Sequence, residues 1–456
     1  MTKFEIPIEW KMSIPPIIAQ RSFHWPPISH LPLDQSSETE EILGWPKGTV
    51  TILNHAFQNK LGRNVHWTPP RDEDPAPFMH AAEVYKRGVG CGSDKRAHYS
   101  GEYTITVYDY LDTVFQNARH DTTTTFCDEN VLNAWPNLTK AHQVHPVKIN
   151  ESRKNLDTIA KIVSTIRAEK TSSVTIIGGG VLADTAAFAA HICKVDFHLI
   201  PTTLLSMVDA CVGGKTGVNH PPFGKNQVGA FSFPSSVTVF KEFLETLPQR
   251  HYDSGRSECF KHSFLAGNKN LVNSLLLASE AKRLSTEVLA EVIKIKGKVV
   301  AQDPTETGVR ATLNLGHTLA HALEAFSHQN RPTEEQIQHG EAVNVGLLFQ
   351  TFLSDEIIGK QDCNNFQRMV LRKADLIKPL NTIQKQTGLD FSTESAQILE
   401  KIRHDKKDTG NEGYTNWIIL KDLGSPYIHA DSYLTPVADK DFLKAWSLMT
   451  RYLKNI

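Results

Sequence analysis

Polar and apolar positions change rhythm along this chain, and the change divides it. From Glu102 the segment EYTITVYDYL alternates like a half-buried strand, and TTTTFCDENV reads as a second strand ending in a polar turn. In SRKNLDTIAKIVSTIRAEK the period switches: Leu156, Ile159, Ile162, Val163 and Ile166 recur at helical spacing. VTIIGGGVLADTAAFAAHI predicts a buried strand, a glycine turn and a helix, and VDFHLIPTTLL a further short strand. Strand, helix and strand in succession imply a parallel sheet with crossover helices, at least from about 103 to 235. Beyond Leu247-Pro248 the strand patterns fade, and LSTEVLAEVIKIKGKVVAQ and TLNLGHTLAHALEAF carry long helical patterns. The expected organisation is an α/β parallel-sheet domain over 103–250 and a mostly α-helical domain over 251–456, with a ligand cleft where they join. Residues 1–102, rich in Pro, Trp, His and Gly, form an amino-terminal extension for which the pattern predicts no role.

Composition narrows the partner rather than the fold. A chain of 456 residues exceeds one hydrophobic core, which fits two domains plus further material. Its 49 basic residues against 50 acidic ones leave no electrostatic footprint for nucleic acid or an anionic membrane, so a small-molecule partner fits better. Cys91, Cys127, Cys193, Cys211, Cys259 and Cys363 show no CxxC or paired spacing, which argues against a disulfide framework and a thiolate zinc site. The first twenty residues lack a basic segment leading into an unbroken apolar core, and no later stretch reaches membrane-span length. A cytosolic protein is expected.

Two kinds of segment suggest chemistry. Gly178-Gly179-Gly180 ends a hydrophobic strand and opens a helix, so backbone amides there can face a pyrophosphate, although the order is not GxGxxG. A tight strand-to-helix connection explains the same glycines equally well, and Asp184 just beyond suits either a nucleotide contact or the helix dipole. Lys215 in GGKTG and Lys225 in GKN sit on glycine-bounded backbone suited to phosphate, without P-loop spacing. The second kind is the run Arg310, Asn314, His317 and His321, spaced by four, three and four, which on one helix would share a face. Two imidazoles, an amide and a cation in register imply a polar lining, and a metal with three protein ligands and an open position would organise it. His339 and Glu258 are the candidate remaining ligands. Set beside that, His339 could cap its helix, and Glu258 with Lys261 could form a solvated i,i+3 pair.

The order of these motifs resembles the 3-dehydroquinate synthase and sugar phosphate cyclase family over roughly residues 103 to 430. The residues that carry the resemblance are DEN from Asp128, ESRKN from Glu151, GGGVLAD from Gly178, PTTLLSMVD from Pro201 and GGKTGVNH from Gly213. They continue with GKN from Gly224, TLP from Thr246, Glu258 with Lys261, Arg310 with Asn314, His317 and His321, HGEAV from His339, and DKK from Asp405. The resemblance implies a Rossmann-like domain in which Asp128, Asn130, Glu151, Lys154, Gly179, Gly180, Asp184, Thr202, Thr203, Lys225 and Thr246 face NAD. It implies a divalent metal, zinc or cobalt, on Glu258, His317 and His339. Asp209, Lys215, Asn226, Lys261 and His321 would be catalytic, and Lys296, Arg310, Asn314 and one of Lys406 or Lys407 would bind substrate.

The implied chemistry is a transient oxidation by NAD, phosphate elimination, re-reduction and an internal aldol closure, in a homodimer. Lys296 and Arg310 match a pair that binds the substrate carboxylate in dehydroquinate synthases, which favours 3-deoxy-arabino-heptulosonate 7-phosphate as substrate. Cyclases of sedoheptulose 7-phosphate and aminodehydroquinate synthases are the related alternatives. The chain departs from the pattern at Cys193-Lys194, where an arginine is usual, at His251, where a glutamate is usual, and in a longer loop from Asn219 to Lys225.

Overall fold

The computed structural model describes residues 3–14, 97–111, 123–139, 144–220, 224–278, 284–360, 362–405 and 413–456. Lys406, Lys407 and Cys91 lie outside these residues, as does most of the first hundred. Contacts divide the chain into two units, Met1–Thr246 and Leu247–Ile456, so the boundary falls a few residues before the expected 250.

In the first unit the strands are β1 (Lys3–Ile14), β2 (Ala97–Tyr108), β3 (Thr123–Asp128), β4 (Val144–Val147), β5 (Ser173–Gly178), β6 (Asp196–Pro201), β7 (Lys215–His220), β8 (Gly224–Phe231) and β9 (Ser236–Phe240). Seven of them form one sheet in the order β1-β2-β9-β6-β5-β3-β4, and every pairing in it is parallel except β1 with β2. Central β5 is buried from Val174 to Gly178, which is the signature of a strand covered on both faces. Helix α1 (Glu129–Ala134) follows β3, and α2 (Leu156–Glu169) precedes β5. On α2, Leu156, Ile159, Ile162 and Ile166 turn inward while Asn155 caps the start by accepting from the Thr158 amide. Helix α3 (Gly180–Cys193) is apolar nearly all round, as a helix packed in a sandwich must be.

The amino-terminal extension needs correcting at its first residues. Lys3–Ile14 is not a segment apart: it pairs antiparallel with β2 from Lys3 opposite Tyr108 to Ile14 opposite Ala97. Ile6 and Ile8 enter the core while Glu5 and Glu9 point to solvent, so period-two patterning at the very start of the chain gives the sheet its edge.

The second unit holds α4 (Gln249–Ala266), α5 (Lys269–Leu277), α6 (Thr286–Gln302), α7 (His317–Asn330), α8 (His339–Ile357), α9 (Asp362–Lys373), α10 (Leu380–Thr387), α11 (Ser395–Asp405) and α12 (Asp439–Lys454). Two small antiparallel ribbons accompany them, one pairing Tyr414–Trp417 with Thr435–Ala438 and one pairing Leu420–Asp422 with Ser425–Pro426. Phe349, Trp417, Phe442 and Trp446 stack into one aromatic core, and the Trp446 indole N–H donates to the Phe391 carbonyl at 2.8 Å.

The stripe from Arg310 to His321 is not one helix. Val309–Asn314 is a short 3-10 helix of 6 residues, and Gly316, at φ 77°, breaks the chain before α7 begins at His317. A left-handed residue is what lets the backbone turn there, and glycine adopts it without strain. A second glycine explains why the break is packed so tightly: a Cβ on Gly346 would lie 1.8 Å from the Gly316 carbonyl oxygen. Helix α8 therefore runs directly against the start of α7, which is how His317 and His339 come to be neighbours.

Candidate metal centre and cofactor turn

Three elements of the second unit converge on one carboxylate. Glu258, in the middle of α4, is wholly buried; His317 opens α7 and His339 opens α8. A Cβ on Gly340 would stand 2.2 Å from the Ser254 carbonyl oxygen, so glycine at the second position of α8 allows that helix start to press onto α4 one turn before Glu258. The result is a triangle: His317 Nε2 lies 3.6 Å and His339 Nε2 3.7 Å from Glu258 Oε1. Ligands about 2.1 Å from a tetrahedral ion sit roughly 3.4 Å apart, so these edges match an ion's coordination shell and exceed a hydrogen bond. Glu258 Oε2 is met by the Lys261 ammonium, but Oε1, buried and turned to both imidazoles, has no hydrogen-bond partner, an arrangement that suits a cation between the three groups.

The surroundings aim the donors. His317 Nδ1 donates to the Leu315 carbonyl at 3.1 Å, which leaves Nε2 as the free lone pair. His339 Nδ1 faces Glu324 Oε2 at 3.3 Å. Lys261, one turn beyond Glu258, is buried, ion-pairs with Glu258 Oε2 and donates to the Leu313 carbonyl at 2.8 Å. The His321 ring stands edge-on to that of His317, with centroids 5.5 Å apart. Burial alone would push the Glu258 carboxyl up, but Lys261 and the neighbouring imidazoles hold it well below the usual carboxylate range. Burial and the Lys261 charge push His317 well below the usual imidazole range. Burial also works against a charged His339, yet the Glu324 and Glu258 carboxylates overcome it and raise the group to about 10.

One prediction follows from these directions. Without an ion His339 keeps its proton up to pH about 10, whereas His317 is already neutral and Glu258 already ionised. An incoming ion must therefore expel a single proton, and affinity should rise about tenfold per pH unit across the neutral range. Calorimetric titration with zinc in buffers of different ionisation enthalpy reads that proton; a pH-independent affinity would contradict the assignment.

Glu324 was not among the residues expected from sequence. It lies seven residues after His317 on α7, two turns along the same face, which is the signal that could have found it. Carboxylates that receive the second N–H of a ligating histidine typically strengthen metal binding 10- to 100-fold. Glu324→Ala is accordingly expected to weaken metal affinity by about that factor with little change in cofactor affinity, measured by competition with a chromophoric chelator.

In the first unit several expected cofactor residues follow the carboxyl ends of the parallel strands, whereas Asp184 lies on α3 and Lys225 on β8 of the antiparallel β7–β8 hairpin. Asp128 ends β3 and caps α1, its Oδ1 accepting from the Asn130 amide at 2.9 Å. Gly179 caps α3 with no side-chain bond to the first-turn amides, which leaves that helix start open to an anion. The tight-connection reading holds alongside it: a Cβ on Gly180 would meet Ala210 at 3.0 Å, and one on Gly179 would meet Thr203 at 3.2 Å. Thr202 is buried, its amide donating to the Gly178 carbonyl, and Thr246 accepts from the Trp135 indole at 2.8 Å.

Lys154 is the hub of this side. Buried at the end of a 3-10 turn that starts with Glu151, it donates to Asp184 Oδ2 at 2.6 Å and to Asn226 Oδ1 at 2.5 Å. Asp184 therefore answers a lysine from within the protein rather than only the helix dipole. Asp209 is half-buried in the Ser206–Ala210 turn, while Lys215, at the start of β7, is exposed. In the second unit Lys296 is buried on α6, and Arg310 donates from its backbone to Asp303 Oδ2 and from Nη1 to the Pro304 carbonyl. Asn314 donates to Glu306 Oε1 at 2.8 Å. Of the departures noted in the sequence, Cys193 is buried and Lys194 is exposed at the left-handed end of α3.

Comparison with known proteins agrees with this geometry. Residues 144–254 match the 3-dehydroquinate synthase N-terminal model and residues 255–408 the 3-dehydroquinate synthase C-terminal model. A 3-dehydroquinate synthase of Crocosphaera subtropica is 35% identical over 293 residues, 61% of this chain and 75% of that protein. One of Methylacidiphilum infernorum is 35% identical over 305 residues, 64% and 79% of the two chains. Among solved structures, 2-deoxy-scyllo-inosose synthase complexed with carbaglucose-6-phosphate, NAD+ and Co2+ aligns with TM-score 0.64 at 21% identity, covering 77% of this chain and 97% of that one. The 2-epi-5-epi-valiolone synthase of Streptomyces hygroscopicus subsp. jinggangensis, with NAD+ and Zn2+ bound, aligns with TM-score 0.64 at 19% identity over 80% and 99%.

Proposed function

On the premise that this chain belongs to the 3-dehydroquinate synthase family, we propose that it is a sugar phosphate cyclase converting 3-deoxy-arabino-heptulosonate 7-phosphate to 3-dehydroquinate and inorganic phosphate. The observation that carries this reading is the Glu258, His317 and His339 triangle, in which the buried Oε1 of Glu258 turns to both imidazoles without a hydrogen-bond partner and whose edges suit one ion.

When bound, NAD supplies a reversible hydride acceptor and the divalent ion, zinc or cobalt, a Lewis acid for an alcohol oxygen. Everything else is work for the side chains. Glu258, His317 and His339 hold the ion, with Lys261 placed on the carboxylate from the opposite side. The open start of α3, with Asp128, Asn130, Glu151 and Lys154 nearby in the chain order of the family motifs, takes the cofactor. Lys215, Asn226 and His321 orient the phosphate that leaves. Lys296 and Arg310, both withdrawn from water, take the substrate carboxylate, where a charge-assisted bond is strongest.

Among the described residues Cys127, Cys193, Cys211, Cys259 and Cys363 are buried thiols outside any disulfide, which fits a reducing cytosol. No helix among the described residues is long and apolar enough to cross a membrane. We place the enzyme in the cytosol as a homodimer, a state that light scattering checks directly.

The test offers the purified protein, with NAD and zinc or cobalt, each of two sugar phosphates in turn. Phosphate and a carbocyclic acid from 3-deoxy-arabino-heptulosonate 7-phosphate are the expected products. Turnover of sedoheptulose 7-phosphate alone, a substrate without a carboxylate, would remove the substrate assignment and leave the cyclase one.

A further inference from the structure

Asn219 was expected only as part of a motif, yet its backbone and both ends of its side chain are hydrogen-bonded. It lies on β7 at the register shift between Val218 and His220 in the pairing with β8. Its backbone N–H donates to the Lys154 carbonyl at 2.8 Å. Its Nδ2 donates to Glu151 Oε1 at 2.8 Å and to the Glu151 carbonyl at 3.2 Å. Its Oδ1 accepts the Asn226 backbone N–H at 2.9 Å. One amide side chain thus uses both ends, donor to the turn that carries Glu151 and Lys154 and acceptor from the strand that carries Asn226.

Asn226 needs such an anchor. Its backbone sits at φ 54°, a left-handed conformation that costs a non-glycine residue about 1 kcal/mol or more unless its surroundings fix it. The Asn219 bond fixes the backbone, and Lys154 holds the side chain. Both anchors trace to the same 3-10 turn, because Asn219 is itself bonded to that turn through Glu151 and Lys154.

We propose that Asn219 is a positioning residue that ties the cofactor-facing turn at Glu151–Lys154 to the phosphate-facing Asn226, so that one side chain sets both. The assignment rests on the cyclase reading for the roles of Glu151, Lys154 and Asn226. The two ends of the amide allow the claim to be divided. Asn219→Asp keeps an acceptor for the Asn226 amide but replaces the donor to Glu151 with a like charge; Asn219→Ala removes both. Asn219→Asp should therefore raise the NAD dissociation constant roughly two- to tenfold, the worth of a hydrogen bond, while leaving KM for the sugar phosphate within about twofold. Asn219→Ala should raise both quantities, each by roughly two- to tenfold.

NAD affinity is measured by calorimetry without substrate, and KM by phosphate release at saturating NAD. Melting temperature and zinc affinity serve as controls and should move little in either variant. Equal losses of NAD affinity and KM in both variants would indicate a merely structural residue and overturn the proposal, as would unchanged values in Asn219→Ala. A wild-type protein that binds no NAD would instead overturn the cyclase reading, and this inference with it.

Discussion

Glu258→Gln should lose its ion and its turnover while still binding NAD. The side chain is the only carboxylate of the ligand triangle and is wholly buried, and it balances Lys261 and the protonated His339 in the ion-free state. Removing one member of a buried charge cluster costs about 3–5 kcal/mol, so metal affinity is expected to fall roughly 10²- to 10³-fold. Turnover should vanish at limiting zinc and recover only in part at a large excess. The expected cofactor residues sit in the other unit, so the NAD dissociation constant is the internal control. A variant with full activity at stoichiometric metal would mean that Glu258 is not a ligand.

The second large effect belongs to Arg310. The residue is 2% exposed, its guanidinium donates to the Pro304 carbonyl, and Asp303 fixes its backbone. Truncating one partner of a desolvated, hydrogen-bonded charge pair costs about 2–5 kcal/mol, so Arg310→Ala should lower kcat/KM for the carboxylate-bearing heptulose phosphate by roughly 10²- to 10³-fold. For sedoheptulose 7-phosphate, which offers no carboxylate, whatever activity the wild type has should change far less. Arg310→Lys should rescue little, because an ammonium cannot reproduce a planar fork. Steady-state kinetics on both sugars, wild type and variant, separate recognition of the carboxylate from damage to the site: equal losses on both would point to damage.

How much of this was visible in the chain depends on where each signal resides. The sheet and its glycine turn were legible because β5 is buried on both faces and leaves an unbroken apolar run, VTIIG, with a helix directly after it. The polar stripe offered a metal, with Glu258 and His339 as candidate ligands, but each alone suits a bland role and they are far apart in sequence, so the choice of this set rested on the resemblance. The edge strand β1 was missed although Ile6 and Ile8 alternate with polar neighbours, because its partner β2 begins only at Ala97 and one strand's period cannot name the other.

The break in the polar stripe was missed for a different reason. Spacings of four, three and four satisfy a helix, and only the left-handed geometry of Gly316 and the contact with Gly346 decide against it. The break matters for the site, since it brings His317 to the start of α7, where α8 can reach it. Glu324 and Asn219 were invisible as functional residues because their contribution is to the orientation of others, which spacing does not record.

The most direct measurement follows phosphate and NADH together in one reaction of metal-loaded protein, NAD and 3-deoxy-arabino-heptulosonate 7-phosphate. Many equivalents of phosphate per bound NAD, with no net NADH and a complete stop on chelation, is the result expected of a cyclase that returns its hydride each turnover. NADH accumulating in step with substrate consumed, without phosphate, would show an ordinary metal-dependent dehydrogenase and contradict the central claim.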